Sequence, residues 1–242
     1  MSTAAAQRDI PPGMVYTPPH RPAAWGDGAI LPVDKPRGRS SFDLVEIVRE
    51  ETGGRKVGHA GTLDPMASGL LLLLVARPAT RLQAACMHLA KTYAATLRLG
   101  EKTPSHDTET EVTERHDASG VARSDVEEAC AAFVGTVEQV PSMYSAVKVD
   151  GERLYEKARR GEIVERPPRH VRIDRIEVAD WSPPQVSIQA ECSKGTYIRA
   201  LARDLGEKIG VGAHLTALRR TAIGPFKLAE SWALEALTDT LT

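Results

Sequence analysis

The sequence is poor in aromatic residues, which make up 5% of its 242 positions, and it has only three cysteines, Cys86, Cys130 and Cys192. The cysteines are widely spaced and form no C-x-x-C pair. This argues against a zinc knuckle or a disulfide framework and leaves them as small buried hydrophobes. Long apolar runs are also missing. The longest, Gly69 to Ala76, is far short of the roughly 20 residues a bilayer-spanning helix needs. No charged-then-apolar leader pattern opens the chain, so a cytoplasmic location without membrane contact is expected. Net charge is almost absent: 31 Lys and Arg against 32 Asp and Glu give -1. That balance argues against coating of nucleic acid by bulk charge. With 42% hydrophobic residues, the chain can bury a core and is not an acidic disordered segment.

The near-zero total is a sum of patches of opposite sign. Arg153 to Arg175 holds eight basic residues against four acidic, and Lys194 to Lys227 holds seven against two. Glu101 to Glu128 holds nine acids against three bases. Basic patches of this kind can grip phosphates while the whole molecule stays neutral, although a solvated face would look the same.

Local patterns divide the chain. Residues 1–28, with five prolines from Pro11 to Pro22 and little aliphatic periodicity, read as an unstructured tail that cannot repay its ordering entropy. A strand is expected at 29–33, then a Pro- and Gly-broken loop, then a helix capped at Ser40 or Ser41 that runs to about Thr52 and ends at Gly53-Gly54. Leu70 to Ala76 reads as a strand buried on both faces. Further strands are expected at 91–99, 171–179 and 186–192. Helices are expected at 125–133 with Ser124 as cap, at about 154–160, and at 197–209 with Ile198, Leu201, Ala202 and Leu205 on one face. This mixture points to an α+β sheet protein.

Three segments carry candidate chemistry. Gly58-His59-Ala60-Gly61-Thr62-Leu63-Asp64-Pro65 places a carboxylate in a glycine-rich loop just before a buried strand. It lacks the Lys-Ser/Thr of a phosphate loop, and no G-x-S-x-G elbow surrounds Ser68. Asp-Pro is also an ordinary turn signal. Lys91-Thr92-Tyr93 sets an amphipathic ring in a strand, where core packing, taken alone, is the better account. Ser193-Lys194-Gly195-Thr196-Tyr197-Ile198-Arg199 leads a turn into a helix with basic neighbours, a place suited to an anion or simply to a cap.

Taken together, these segments resemble the TruB family of pseudouridine synthases. Asp34-Lys35-Pro36-x-Gly38 resembles the family's N-terminal loop, and Gly58 to Gly69 resembles its catalytic loop. Lys91-x-Tyr93, Gln139 to Ala146, Leu154 to Gly161, Cys192 to Arg199, Gly212 to Leu215 and Leu218-Arg219-Arg220 follow in family order. The resemblance covers roughly Ala29 to Phe226. In two places the sequence departs from the pattern: Pro104 stands where the family has an acid, and Thr110 where a glycine is expected. Asp107 still aligns with an acidic position.

The resemblance implies a pseudouridine synthase fold, with a central, mainly antiparallel mixed sheet flanked by helices. It implies one catalytic domain over 29–242, with a mobile RNA-clamping insert at about 141–170 and without the further C-terminal RNA-binding module of many relatives. The implied reaction converts uridine 55 in the T arm of tRNA to pseudouridine, with no cofactor and no metal. Asp64 is the implied catalytic residue. It must be ionised to act as nucleophile or base, and Arg199 is the implied cation that favours this form. Tyr93 would stack on the base, which has to be flipped out of the T loop. His59 would occupy the space the base vacates. Tyr197 and Leu218 would line the pocket, and Lys35 would support the catalytic loop or a phosphate. The partner is tRNA alone, met by a monomer with no obligatory protein partner. The alternatives are a guide-RNA-dependent synthase and a non-catalytic tRNA-binding or folding chaperone.

Overall fold

The computed structural model describes residues 10, 11, 13–20, 22–145, 148, 149 and 151–241. In chain order the strands are β1 (Ala29–Lys35), β2 (Val57–His59), β3 (Ser68–Val75), β4 (Lys91–Leu99), β5 (Glu101–Lys102), β6 (Glu114–Arg115) and β7 (Gly135–Gln139). They continue with β8 (Lys148–Val149), β9 (Glu152–Arg153), β10 (Arg169–Ser182), β11 (Gln185–Cys192), β12 (Ala213–Ile223), β13 (Phe226–Lys227) and β14 (Trp232–Ala233). The α-helices are α1 (Ser41–Glu51), α2 (Ala76–Thr80), α3 (Gln83–His88), α4 (Arg123–Ala132), α5 (Leu154–Arg159), α6 (Ile198–Ile209) and α7 (Leu234–Leu241). The described residues form two units, one from Met1–Tyr93 with Leu218–Thr242, the other from Ala94–Ala217. β4 and β12 contribute residues to both.

In the first unit β3 is the central strand. β1 lies antiparallel along one edge, from Ala29↔Val75 to Lys35↔Gly69, and carries β14 in parallel on its far side. The other edge of β3 changes partner along its length. β2 pairs antiparallel with Val75 to Leu73, whereas β12 pairs in parallel at Ser68 and Gly69. Residues 60–67 leave the sheet where that edge changes hands. The leucine run of β3 is explained by the strand's period of two. Leu71, Leu73 and Val75 pack with Val33, Leu44, Val48 and Leu237 on one face. Leu70, Leu72 and Leu74 pack with Ile30, Cys86, Leu89 and Phe226 on the other. A strand covered on both faces shows no polar alternation, and each buried leucine contributes roughly 1.5–3 kcal/mol.

Helix α1 begins where the sequence places it. The Asp43 amide donates to Ser40 Oγ at 3.1 Å and the Ser40 amide to the Asp43 carboxylate at 2.7 Å, a reciprocal cap. The expectation of a tail over 1–28 is corrected for the described part. Val15 bridges Ile30 in parallel, and the Tyr16 amide donates to the Ile30 carbonyl at 3.0 Å. Trp232 Nε1 donates to the Tyr16 carbonyl at 3.0 Å. Tyr16 and Trp25 pack on one core, and Ile10, Met14 and Val15 on the other. These scattered anchors have no period among the prolines, which is why pattern reading missed them. Residues 1–9 of the expected tail lie outside the described residues.

In the second unit the order is β12-β4-β11-β10-β7. β10 pairs antiparallel with β11 and with β7. Ile198, Leu201, Ala202 and Leu205 of α6 are buried as their spacing suggests, together with Arg199. α4 starts earlier than its expected Ser124 cap: the Ala122 amide is held by the Asp125 carboxylate at 2.8 Å. β12 was not legible as a strand, because its inward positions include the buried His214 and Arg220, which interrupt apolar alternation. Residues 146, 147 and 150 of the expected insert lie outside the described residues. The α+β expectation, with a mixed, mostly antiparallel sheet flanked by helices, holds. Among the described residues, no helix is long and apolar enough to cross a membrane.

Candidate active site

In the first unit, the loop that bears Asp64 is held from several directions. The Ala67 amide donates to the Asp64 carbonyl at 3.0 Å, closing a turn around Pro65. Gly38 of the β1–α1 loop donates its amide to the Pro65 carbonyl at 2.7 Å. The buried Ser41 hydroxyl accepts from the Leu63 amide at 2.9 Å and donates to the Leu63 carbonyl at 3.1 Å. Arg220, 1% exposed, donates from Nε to the Leu70 carbonyl at 2.7 Å and from Nη2 to the Gly61 carbonyl at 2.9 Å. The guanidinium thus ties the start of the loop to β3. Asp64 itself is half-buried.

Lys35 is fully buried. Its ammonium donates to the Pro36 carbonyl at 2.9 Å and the Arg39 carbonyl at 2.6 Å. Burial pushes its pKa down to about 8, opposed chiefly by the negative charge of Asp64. Lys35 thus feels the charge of Asp64 and braces the β1–α1 loop through the two carbonyls it supports. His59 ends β2, half-buried, and its Nδ1 has no hydrogen-bond partner. Burial, aided by the Arg220 charge, pushes its pKa down and keeps the ring neutral. Tyr93 and Leu218 are almost covered, at 9% and 8% exposure. Lys91 is buried, and its ammonium donates to the Leu89 carbonyl at 2.6 Å.

The second unit holds Arg199 and Tyr197. Arg199 opens α6 with 3% exposure. It donates from Nη2 to the Tyr144 carbonyl at 2.8 Å and from Nη1 to the Ser105 carbonyl at 3.3 Å. Its Nη1 lies 3.5 Å from an Asp107 carboxylate oxygen. Asp107, which sequence reading left without a role, is thus a buried partner of Arg199. Its loop is cross-braced: Thr103 Oγ1 donates to the Asp107 carbonyl at 2.7 Å, and the Ser105 amide donates to Thr110 Oγ1 at 3.0 Å. The unusual Thr110 therefore supplies an acceptor that glycine lacks. His106 takes a left-handed φ of 64°. Burial and the charges of Arg203, Arg199 and Arg166 hold its pKa down at about 4. The Tyr197 backbone is held on both sides by the Gln139 amide group, at 2.8 and 3.1 Å.

A structure of the Cbf5-Nop10-Gar1 complex is similar over 96% of this chain and 60% of that chain, with a TM-score of 0.69 and 29% identity. An H/ACA RNP bound to a substrate RNA containing 2'-deoxyuridine gives a TM-score of 0.67 at 26% identity, over 96% and 59%. The chain thus spans about three fifths of the length of these solved chains. The fold is that of the pseudouridine synthases. The family model "TruB family pseudouridylate synthase (N terminal domain)" matches residues 49–198. The model "tRNA pseudouridylate synthase B C-terminal domain" matches 199–242. The "tRNA pseudouridine synthase B" of Arthrobacter sp. (strain FB24) is 50% identical over 215 residues, 86% of this chain and 70% of that protein. That of Opitutus terrae is 44% identical, covering 87% of each. The chain belongs to the TruB family of pseudouridylate synthases, which are isomerases.

Proposed function

We propose that the chain converts uridine to pseudouridine at position 55 in the T arm of tRNA, acting alone as a cytoplasmic monomer without a cofactor. The reading is carried by one observation: a half-buried Asp64 on a loop pinned by Gly38, Ser41 and Arg220, in a chain 50% identical to a tRNA pseudouridine synthase B. Position 55, base flipping and the residue roles rest on the family resemblance.

In this reading Asp64 is the catalytic carboxylate, and Arg199 is the cation that keeps it ionised and oriented. The bond from C1′ to N1 breaks, the base turns, and C5 bonds to C1′. The C5 proton is lost and N1 gains one, so the reaction is an isomerisation in which atoms and electrons balance. Extruding the base costs a few kcal/mol. Stacking on Tyr93, worth roughly 1–3 kcal/mol, offsets part of this. A neutral His59 can fill the vacated space without the desolvation cost of an imidazolium. Tyr197 and Leu218 line the pocket, and Lys35 holds the neighbouring loop.

The test is incubation of the purified protein with a T-arm stem–loop transcript. Digestion to nucleosides and chromatography with mass detection follow, since isomerisation leaves mass unchanged. Pseudouridine is expected from the wild type, and none from a transcript whose uridine 55 is replaced by cytidine or from Asp64→Asn, which should still bind the RNA. Product only in the presence of added guide RNA or protein would replace stand-alone action with the guide-dependent reading.

A further inference from the structure

An exposed ring and two exposed arginines lie on the β1–α1 segment that is bonded to the Asp64 loop in the first unit. Phe42, in the first turn of α1, is 58% exposed, whereas Leu44, Val45 and Val48 of the same helix are buried. Among the described residues, Met87, Val134 and Ile163 are the other exposed large hydrophobics, and none carries a ring. Arg37 and Arg39 are exposed just before it. Among the described residues neither guanidinium has a carboxylate within ion-pair distance. The nearby acids are engaged elsewhere: Asp34 pairs with Arg219 at 2.6 Å, and Asp43, although in the field of Arg39, caps α1 through the Ser40 amide at 2.7 Å. That cap also occupies the helix N-terminus, so anion binding here falls to the two arginines.

The patch is rigidly mounted. The Lys35 ammonium fixes the Pro36 and Arg39 carbonyls, Gly38 is bonded to Pro65, and Ser41 is bonded to Leu63. An exposed ring preceded in the chain by two exposed arginines suits one base face and its flanking phosphates.

We propose that Arg37, Arg39 and Phe42 form a second RNA contact: an unstacked nucleotide of the substrate RNA, outside the reacting position, lies on the Phe42 ring, and its phosphates are held by the two arginines. The proposal rests on the reading of the chain as an RNA-modifying enzyme. It adds a docking role to the β1–α1 loop. Because the β1–α1 loop is bonded to the Asp64 loop, docking there adds affinity beside that loop without touching the reacting nucleotide.

The experiment uses the full chain and the T-arm stem–loop transcript, measuring kcat, KM and directly titrated Kd over a salt series. Phe42→Ala should raise KM and Kd about tenfold and leave kcat within twofold, while Phe42→Trp should stay near the wild type. Arg37→Gln and Arg39→Gln should each flatten the slope of log Kd against log salt by roughly 0.7–0.9, one phosphate contact apiece. Unchanged Kd and salt slope in all variants beside an unaltered wild type would overturn the patch. So would a Phe42→Ala loss confined to kcat, or variants that bind RNA normally but lose capture of a protein partner. Failure of the wild type to form pseudouridine counts against the parent reading instead, and the Kd series still decides the patch.

Discussion

Arg199 and Asp107 form a buried ion pair at 3.5 Å, with side chains 3% and 1% exposed. The pair is backed by two carbonyls on the guanidinium and by the Glu109 amide on the carboxylate at 2.9 Å. Removing one member of such a pair strands the other charge. Asp107→Ala should therefore cost about 3–5 kcal/mol of stability in urea unfolding. Asp107→Asn keeps the acceptor for Glu109 and should cost less. If Arg199 serves Asp64 as proposed, both variants should lower kcat more than tenfold with smaller effects on RNA affinity. Full turnover by folded Asp107→Asn would remove Asp107 from the reaction.

Lys35 gives the stability a pH dependence whose sign follows from its depressed pKa. Between about 8 and 10.5 the folded lysine has released its proton while the unfolded one retains it. The unfolded chain then binds more protons, so stability rises with pH across that window and this contribution is flat below it. Cys86 and Cys130, pushed up to about 11 by burial, act in the opposite direction from about pH 9, but they are common to wild type and variant. The difference in unfolding free energy between wild type and Lys35→Met should therefore grow with pH from 8 to 10.5. A difference independent of pH would contradict a buried ammonium.

Elements with a simple period were legible in the sequence. The leucines of β3, the capped start of α1 and the buried stripe of α6 each follow one local rule. Elements whose inward positions hold charge were not. Arg220 and His214 hide β12, and the value of both residues lies in carbonyls of strands distant in sequence, which no local window contains. Asp107 shows the same limit at the candidate site. Its neighbours Pro104 and Thr110 depart from the family pattern, yet Thr110 rebuilds the loop through Ser105. Asp64, Tyr93 and Arg199 are singled out only by the resemblance of ordered motifs, since each alone reads as an ordinary turn, core ring or capped helix.

Gly69 is a point where substitution has no room. Its φ is 102°, and a Cβ there would sit 2.3 Å from the Arg220 carbonyl oxygen. Gly69→Ala must strain φ and part β3 from β12 at the root of the Asp64 loop. A loss of at least ~3 kcal/mol is expected, with activity falling even at temperatures where the protein remains folded. Calorimetry and turnover on the same sample check both. An unfolding midpoint within a degree of the wild type would show that the close approach is not rigid.

Tyr93 separates ring from hydroxyl. If the ring stacks on the flipped base, Tyr93→Phe should keep the stacking face, and Tyr93→Leu should lose it while filling much of the same buried space. The larger loss in kcat is expected for Tyr93→Leu, by about 10-fold or more at roughly 1–3 kcal/mol of stacking. Equal losses in single-turnover assays would assign the residue to core packing instead.

Arg220 is a positioning residue with a readout independent of turnover. Its charge, after burial, is the second cause that holds the His59 pKa down, and its Nη2 holds the Gly61 carbonyl. Arg220→Met removes both effects, leaving the Gly61 and Leu70 carbonyls without this donor at about 1–3 kcal/mol each. The His59 ring should then titrate at higher pH in an NMR experiment, because a repelling cation has gone. Arg220→Lys keeps the charge but cannot span two carbonyls with the planar fork. It should leave His59 titration close to the wild type while kcat falls as the Asp64 loop loosens. Activity tracking the His59 pKa across the two variants would make the charge decisive; activity lost in both, with the pKa moved only in Arg220→Met, would make it the loop geometry. The two short hydrogen bonds from one buried guanidinium favour the second outcome.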